Sequence, residues 1–295
     1  MRSVILYFFA GWLALSCQAA KRVVVHDAAE FFEALGSNRV VVVAEGVTIH
    51  LDDWVSTCQP RESSHSFYLP KNENLPTAEG ADQIINSPVY QGREAVLRYL
   101  KDLSIEGERN SAISTSTQYA AALKFLWCKN IAIRNLTIKR EQSTTSDAGL
   151  IEFHDCYNVK VGGCTIDGNG SCGLTAKNVQ SLKCLSNVFT HESKPILLEN
   201  ATGSLIRRCD FVFNRNDIEI DSNSKNTRFE QCRFSQNPTY WLFYPQSHTK
   251  LVDCLINIEK KLTGEHYTDW LHPTGYTKIT AQSVPLAPLH GVGAR

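Results

Sequence analysis

Ser204–Phe211 reads SLIRRCDF, and Thr227–Phe234 reads TRFEQCRF. The two stretches share an apolar third residue, a cysteine at the sixth position and a phenylalanine at the eighth. A self-comparison outward from them finds the same frame in IAIRNLTI (131–138), VKVGGCTI (159–166), LKCLSNVF (182–189) and TKLVDCLI (249–256). RYLKDLSI (98–105) aligns as a first unit. The sixth residues are then Leu103, Leu136, Cys164, Asn187, Cys209, Cys232 and Cys254, at gaps of 33, 28, 23, 22, 23 and 22. A settled period of this length is the signature of a solenoid.

Within a unit, positions one and three are mostly apolar, and so are six and eight. That is strand alternation twice, with the parity broken by a two-residue corner. Arg134-Asn135, Gly162-Gly163, Arg207-Arg208 and Val252-Asp253 occupy the corner, and Asn and Gly there suit a left-handed bend. A third strand precedes each unit: LKF (123–125), IEF (151–153), LTA (174–176), ILL (196–198), IEI (218–220) and WLF (241–243). Three short strands per coil predict an all-β fold, a triangular parallel β-helix. One coil cannot bury its own inner residues, and stacking equivalent positions makes a continuous core. Ten cysteines first suggest disulfides. Here Cys164, Cys209, Cys232 and Cys254 share a ladder with Leu136 and Asn187, so the expectation is small core residues. Disulfide staples and metal ligation stand behind it; no Cys-x-x-Cys cluster has zinc spacing. WCKNI (127–131) and DCYNV (155–159) place Cys128 over Cys156 and Asn130 over Asn158, and the asparagines are expected to bond along the axis. Asn187 is either a satisfied core amide or a slip of register.

The rest of the chain divides around this core. Residues 1–20 form a signal peptide pattern: Arg2, an apolar run from Val4 to Leu15, then small residues. ALSC within it loosely resembles a lipoprotein box that would lipidate Cys17; simple cleavage and a retained anchor are the alternatives. Residues 21–95 are expected to hold the N-terminal cap, first coils and an irregular excursion over 52–95. Asp27 starts a capping helix that ends near Leu35 with Gly36 as its stop. Strands at 40–43 and 47–51 start the stack. The β-helix proper is placed at 96–256. Residues 257–295 lose the period and form a C-terminal cap and tail, with Tyr267, Trp270 and Leu271 over the last coil.

DLSIEG, TQYAAALKFLWCKNIAIRNLTI, LIEFHDCYNVKVGGCTIDGNGSCGLTAKNV and RFEQCRFSQN resemble secreted bacterial right-handed parallel β-helix repeat proteins, whose fold is that of the pectate lyase-like superfamily. The resemblance covers about residues 85–256. It implies right-handedness and an exported, periplasmic or cell-surface protein. Chemically active relatives mostly cleave acidic polysaccharides by elimination or hydrolysis. No paired DD, GHG or RIK of a polygalacturonase occurs in order, nor the arginine-containing lyase motif.

Function is expected on outward faces. NDIEIDSN (216–223) buries Ile218 and Ile220 and shows Asp217, Glu219 and Asp221. Carboxylates two apart in a strand lie about 6.5–7 Å apart. Such a row suits a calcium ion or an inverting glycosidase pair. Glu199, Lys177, His154 and Glu152 fall in the same region. A lyase would use Glu219 and Asp221 there, with Lys177 or His154 as base near the cation. The plain alternative is a solvated sheet face. A second row, Ala132, Lys160, Lys183, Leu205, Arg228 and Lys250, offers four cations to an anionic glycan, with Glu199 and Asp217 as further ligand-binding candidates. The turn DGNGSCG (167–173) precedes no helix and is not read as a phosphate loop. His191 reads as a surface histidine, and Asn135 and Asn200 head sequons that matter only in a eukaryotic host.

Lys plus Arg equals Asp plus Glu, 30 each, so no global field favours nucleic acid. A monomer is expected. Three functions remain open: an exported protein that engages polysaccharide, a polysaccharide lyase or glycoside hydrolase, and a structural or adhesive surface module.

Overall fold

The computed structural model describes residues 20–55, 67–68, 81–90, 92–143, 148–215, 218–235, 237, 242–243 and 249–257. The expectations for Cys17 and the leader, and for Tyr267, Trp270 and Leu271, fall outside them.

The described strands form three long sheets. Sheet A stacks Lys21–Val25, Arg39–Val43, Lys101–Gly107, Lys129–Arg134, Tyr157–Gly162, Gln180–Leu185, Leu205–Arg207, Arg228–Glu230 and Lys250–Val252. Sheet B runs from Thr48–His50 through Ala112–Thr115, Thr137–Arg140, Thr165–Asp167, Val188–Thr190, Asp210–Val212 and Arg233–Ser235 to Leu255–Asn257. Sheet C runs from Gly92–Arg98 through Leu123–Leu126, Gly149–His154, Cys172–Lys177, Lys194–Glu199 and Glu219–Ile220 to Leu242–Phe243. Neighbours within these runs are parallel and in register, as in Ile131↔Val159 and Ile166↔Phe189. The chain is a parallel β-helix of three faces.

Stacked rings fill its centre: Phe125 on Phe153 at 5.0 Å, Phe189 on Phe211 at 5.0 Å and Phe211 on Phe234 at 4.7 Å. The cysteine ladder is buried as expected, and all eight described cysteines are free. Their thiols donate to carbonyls of the preceding coil: Cys209 to Cys184 (3.5 Å), Cys232 to Ile206 (3.4 Å) and Cys254 to Phe229 (3.4 Å). Burial pushes the Cys164 thiol up to about 11, so it stays protonated and inert. Asn187 is a satisfied core amide. Its Nδ2 donates to the Val161 carbonyl and its Oδ1 accepts from the Cys164 N–H, each at 2.9 Å. It makes the same backward bond as the thiols.

The corners explain the parity break. Asn135, Gly163, Ser186, Arg208, Gln231 and Asp253 all adopt positive φ, one per coil. Left-handed backbone costs an L-residue roughly 1–2 kcal/mol, while glycine costs about 0.5–1 kcal/mol in entropy. Among the described residues Ser186 makes no side-chain bond that offsets this, so Ser186→Gly is expected to raise stability by about 0.5 kcal/mol, read as a higher urea midpoint. On another corner the expected amide stack is present: Asn158 donates to Asn130 and Asn130 to Asp102, each at 2.7 Å. A parallel ladder joins Asn200 to Asn178 (2.7 Å) and Asn178 to Asp155 (2.9 Å).

The first unit needs correction. Leu103 stacks on Ile131, and Ser111 holds the place under Leu136, since Thr137 bonds the Ser111 carbonyl and pairs with Ala112. The gap of 33 joined two different ladders. The stack also begins earlier than expected, at Lys21–Val25 paired with Arg39–Val43. The excursion returns as antiparallel strands Gln83–Val89 and Gly92–Arg98 at the edge of sheet C. Asp27 caps helix Ala28–Ala34 by accepting from the Glu30 N–H at 2.8 Å, and Phe31 and Phe32 are buried over the first coil. Gly36 is not a left-handed stop. Leu35 leaves the helix extended, and a Cβ at Gly36 would meet the Arg39 guanidinium at 3.0 Å.

Candidate binding face

Sheet C carries the carboxylates first suspected of chemistry, and each one among the described residues is occupied. Glu219 pairs with Lys194 at 3.1 Å. Asp221 accepts from the Asn200 and Ser224 backbone N–H groups (3.1 and 2.8 Å) and from the Ser224 hydroxyl (2.6 Å), so it builds its own turn. Lys177 pairs with Glu199 at 2.9 Å. Leu197 lies between Thr175 and Glu219 in the ladder, so Lys177 sits two coil rises, about 10 Å, from the coil of Glu219. His154 is one coil further off. Glu219, Asp221, Lys177 and His154 therefore do not converge on one reacting atom. Asp217 lies outside the described residues. Among those described, no three His, Cys, Asp or Glu side chains are grouped to hold a metal ion.

What does converge on sheet C joins Glu152 and His154, which the sequence placed in this region, to Lys124 and Glu94, which it did not single out. Lys124 bridges Glu94 (2.8 Å) and Glu152 (3.3 Å), and His154 bonds Glu152 at 3.1 Å. Glu94 also accepts from the Ala121 N–H and Glu152 from the Gly149 N–H. Burial alone would raise the Glu152 pKa, but His154, Lys124 and the Gly149 N–H outweigh it and lower the carboxyl to about 2. This network ties the Ala121 turn and the start of the strand Gly149–His154 together on the sheet.

Near sheet B, His50, Ser114 and Glu141 form a second cluster. Ser114 Oγ lies 3.0 Å from His50 Nδ1 and 2.9 Å from Glu141 Oε1, and Nδ1 lies 2.9 Å from the same oxygen. A nucleophile relay needs the imidazole to accept from serine on one nitrogen and donate to carboxylate on the other. Here one nitrogen faces both, and Ser114 is fully buried. The cluster is structural.

Sheet A differs in charge. Its strands from Lys129 to Val252 carry seven cations and one carboxylate, Glu230. The expected outward row is present residue for residue: Ala132↔Lys160, Lys160↔Lys183, Lys183↔Leu205, Leu205↔Arg228 and Arg228↔Lys250. Arg228 pairs with Glu230 at 2.6 Å. Lys160, Lys183 and Lys250 have no ion pair among the described residues. Lys160 and Lys183 stand on adjacent strands about 4.8 Å apart, and like charges in that relation destabilise a sheet. Ahead of them lies a groove of about 260 Å³ with Ser104 and Ala132 on its floor. Asp102, Asn130 and Asn158 make one wall, Glu106 and Arg134 the other, and Lys160 closes the end.

A family model described as a right handed beta helix region matches residues 149–261. The chain folds as a right-handed parallel β-helix. Its match stops short of the N-terminal coils, where the period is irregular. Among solved structures, the crystal structure of PfbA, a surface adhesin of Streptococcus pneumoniae, aligns over 91% of this chain and 72% of that one, at 11% identity and a TM-score of 0.40. No curated protein matches the sequence. No helix among the described residues is long and apolar enough to cross a membrane.

Proposed function

We propose that this right-handed β-helix protein binds an acidic polysaccharide along sheet A, as an exported adhesive module rather than an enzyme. The observation that carries the reading is the in-register Lys160–Lys183 pair, two like charges on adjacent strands flanked in their row by Ala132 and Leu205, with no ion pair to either among the described residues. A sheet that served only solubility would mix its signs, as sheet C does with Lys124, Lys177 and Lys194 each paired to a glutamate. A polyanion lying along the axis would meet Lys160, Lys183, Arg228 and Lys250 in turn. Export rests on the signal pattern of residues 1–20.

Retention of the full chain on immobilised alginate, a polyuronate, tests this against dextran, a neutral glucan. The wild type is expected to bind alginate alone. A Lys160→Ala, Lys183→Ala double variant is expected to bind about tenfold more weakly, about 1.4 kcal/mol. Equal retention of variant and wild type would remove the reading. Release of unsaturated or reducing ends would favour the lyase or hydrolase reading instead.

A further inference from the structure

The corner between sheets C and A breaks its own rule in two coils. Asp155, Asn178 and Asn200 fill its left-handed position in later coils, and Asp and Asn tolerate that backbone. Tyr99 and Trp127 fill it in the earlier two, at φ 61° and 56°. A bulky aromatic at positive φ is an outlier, and such strain collects where a surface has a task other than stability. The two rings stack at 5.2 Å, with the Arg98 guanidinium 4.7 Å from the Trp127 ring centre. Trp127 remains 43% exposed. One coil on, Tyr157 is 48% exposed, with Lys129 Nζ 5.4 Å from its ring centre. Tyr157 is paired in register with Lys129, and Asn158, its neighbour in sequence, lines the groove of sheet A.

We propose that Trp127 and Tyr157 form a sugar-stacking subsite, which takes one or two residues of an acidic glycan whose chain continues into the groove. The inference rests on the sheet A reading and adds the recognition of the sugar ring to that of its charge. The C–H face of a pyranose packs on an aromatic ring, its hydroxyls suit the amide wall of Asn130 and Asn158, and its carboxylate suits Lys129 or Lys160. Asp102 and Glu106 at the far end of the groove accept hydroxyls, of which each pyranose carries several and a deoxynucleotide chain none within its backbone. This favours a glycan over single-stranded nucleic acid, which also stacks on aromatics beside cations.

Trp127→Asn tests the subsite without disturbing the fold, because it installs the residue type of later coils. Titration calorimetry with an oligouronate in about 0.1 M and about 1 M NaCl separates the two contributions, since the Debye length falls from about 10 Å to about 3 Å. Trp127→Asn is expected to lower affinity about fivefold at both salts, with thermal stability equal to wild type or higher, and Trp127→Phe to restore most of it. Lys160→Ala with Lys183→Ala is expected to lose affinity at low salt alone. Wild-type affinity in Trp127→Asn at both salts would overturn the subsite and leave sheet A standing. If wild type does not bind the oligouronate, the sheet A reading fails. Trp127-dependent binding of a neutral oligosaccharide would then still support stacking, and its absence would overturn it. Tighter binding of a single-stranded oligonucleotide than of the oligouronate would overturn the ligand class.

Discussion

Glu192→Gln is expected to stabilise the protein at pH 7 and to leave it nearly unchanged at pH 4. Glu192 is fully buried, and among the described residues neither carboxyl oxygen has a hydrogen-bond partner of normal geometry. In the next two coils the same corner holds Asn214 and Asn237, whose amides bond the Phe189 and Phe211 carbonyls at 3.0 and 2.9 Å. Glu192 starts this ladder with the wrong group. Its carboxyl lies in a hollow made by two glycines: a Cβ at Gly168 would fall 1.7 Å from one oxygen, and a Cβ at Gly173 would fall 3.0 Å from the other. Burial raises its pKa well above the ordinary carboxylate value, and nearby Asp167 adds to this, against partial relief from the Gly168 N–H and Arg140. The folded protein therefore keeps a proton that the unfolded chain releases above about pH 4.3. Stability present below that pH is lost as pH rises toward the folded pKa, by up to about 1.4 kcal/mol per pH unit. Glutamine carries no such linkage. Urea midpoints of the two proteins should diverge steadily from pH 4 to pH 7, with the variant higher. A variant weaker than wild type at both pH values would mean that the carboxylate is ionised and paired.

Lys124→Met should act in the opposite sense. Glu94 is 6% exposed, and Glu152 is nearly as buried. Burial alone would lower the Lys124 pKa, but Glu152 and Glu94 outweigh it and hold the ammonium more firmly charged than usual. Removing the cation leaves two buried carboxylates facing one another. Breaking a buried pair in this way costs about 3–5 kcal/mol, and the carboxylates that hold the Ala121 and Gly149 N–H groups lose their shared cation. The depressed Glu152 pKa of about 2 contributes stability that is present above about pH 4.3 and lost as pH falls toward 2. The deficit of the variant should therefore shrink in acid, where the carboxylates take up protons. A small, pH-independent deficit would show that Lys124 acts through its hydrocarbon stem alone.

The repeat was legible because each coil repeats the same physical demands. An inward apolar pair, a corner that tolerates positive φ and a small group after it recur from Ile131 to Cys254. Those demands fixed the register of Lys160, Lys183, Arg228 and Lys250 without any contact being known. Legibility failed where a coil was enlarged. The alignment took Leu103 for the ladder of Leu136 because the loop before Ser111 changes the spacing, and periodicity cannot report which of two apolar ladders a residue belongs to. Side-chain pairing was also beyond reach. Glu219 and Asp221 do face outward, but sequence spacing gave no sign that Lys194 and Ser224 engage them. Gly168 and Gly173 of DGNGSCG make room for Glu192, which comes from the following coil, while Gly170 answers to its own positive φ of 101°. Trp127 and Tyr157 lay in plain view in WCKNI and DCYNV. Their signal was an aromatic where other coils place Asp or Asn, or beside such a position.

The claim that sheet A, and not sheet C, meets the ligand is tested most directly by acetylation footprinting of lysines with and without bound alginate, read by mass spectrometry. Protection should fall on Lys160, Lys183 and Lys250, while Lys177 and Lys194 react as they do in the free protein. Protection confined to Lys177 and Lys194, or an unchanged pattern under saturating alginate, would contradict the account.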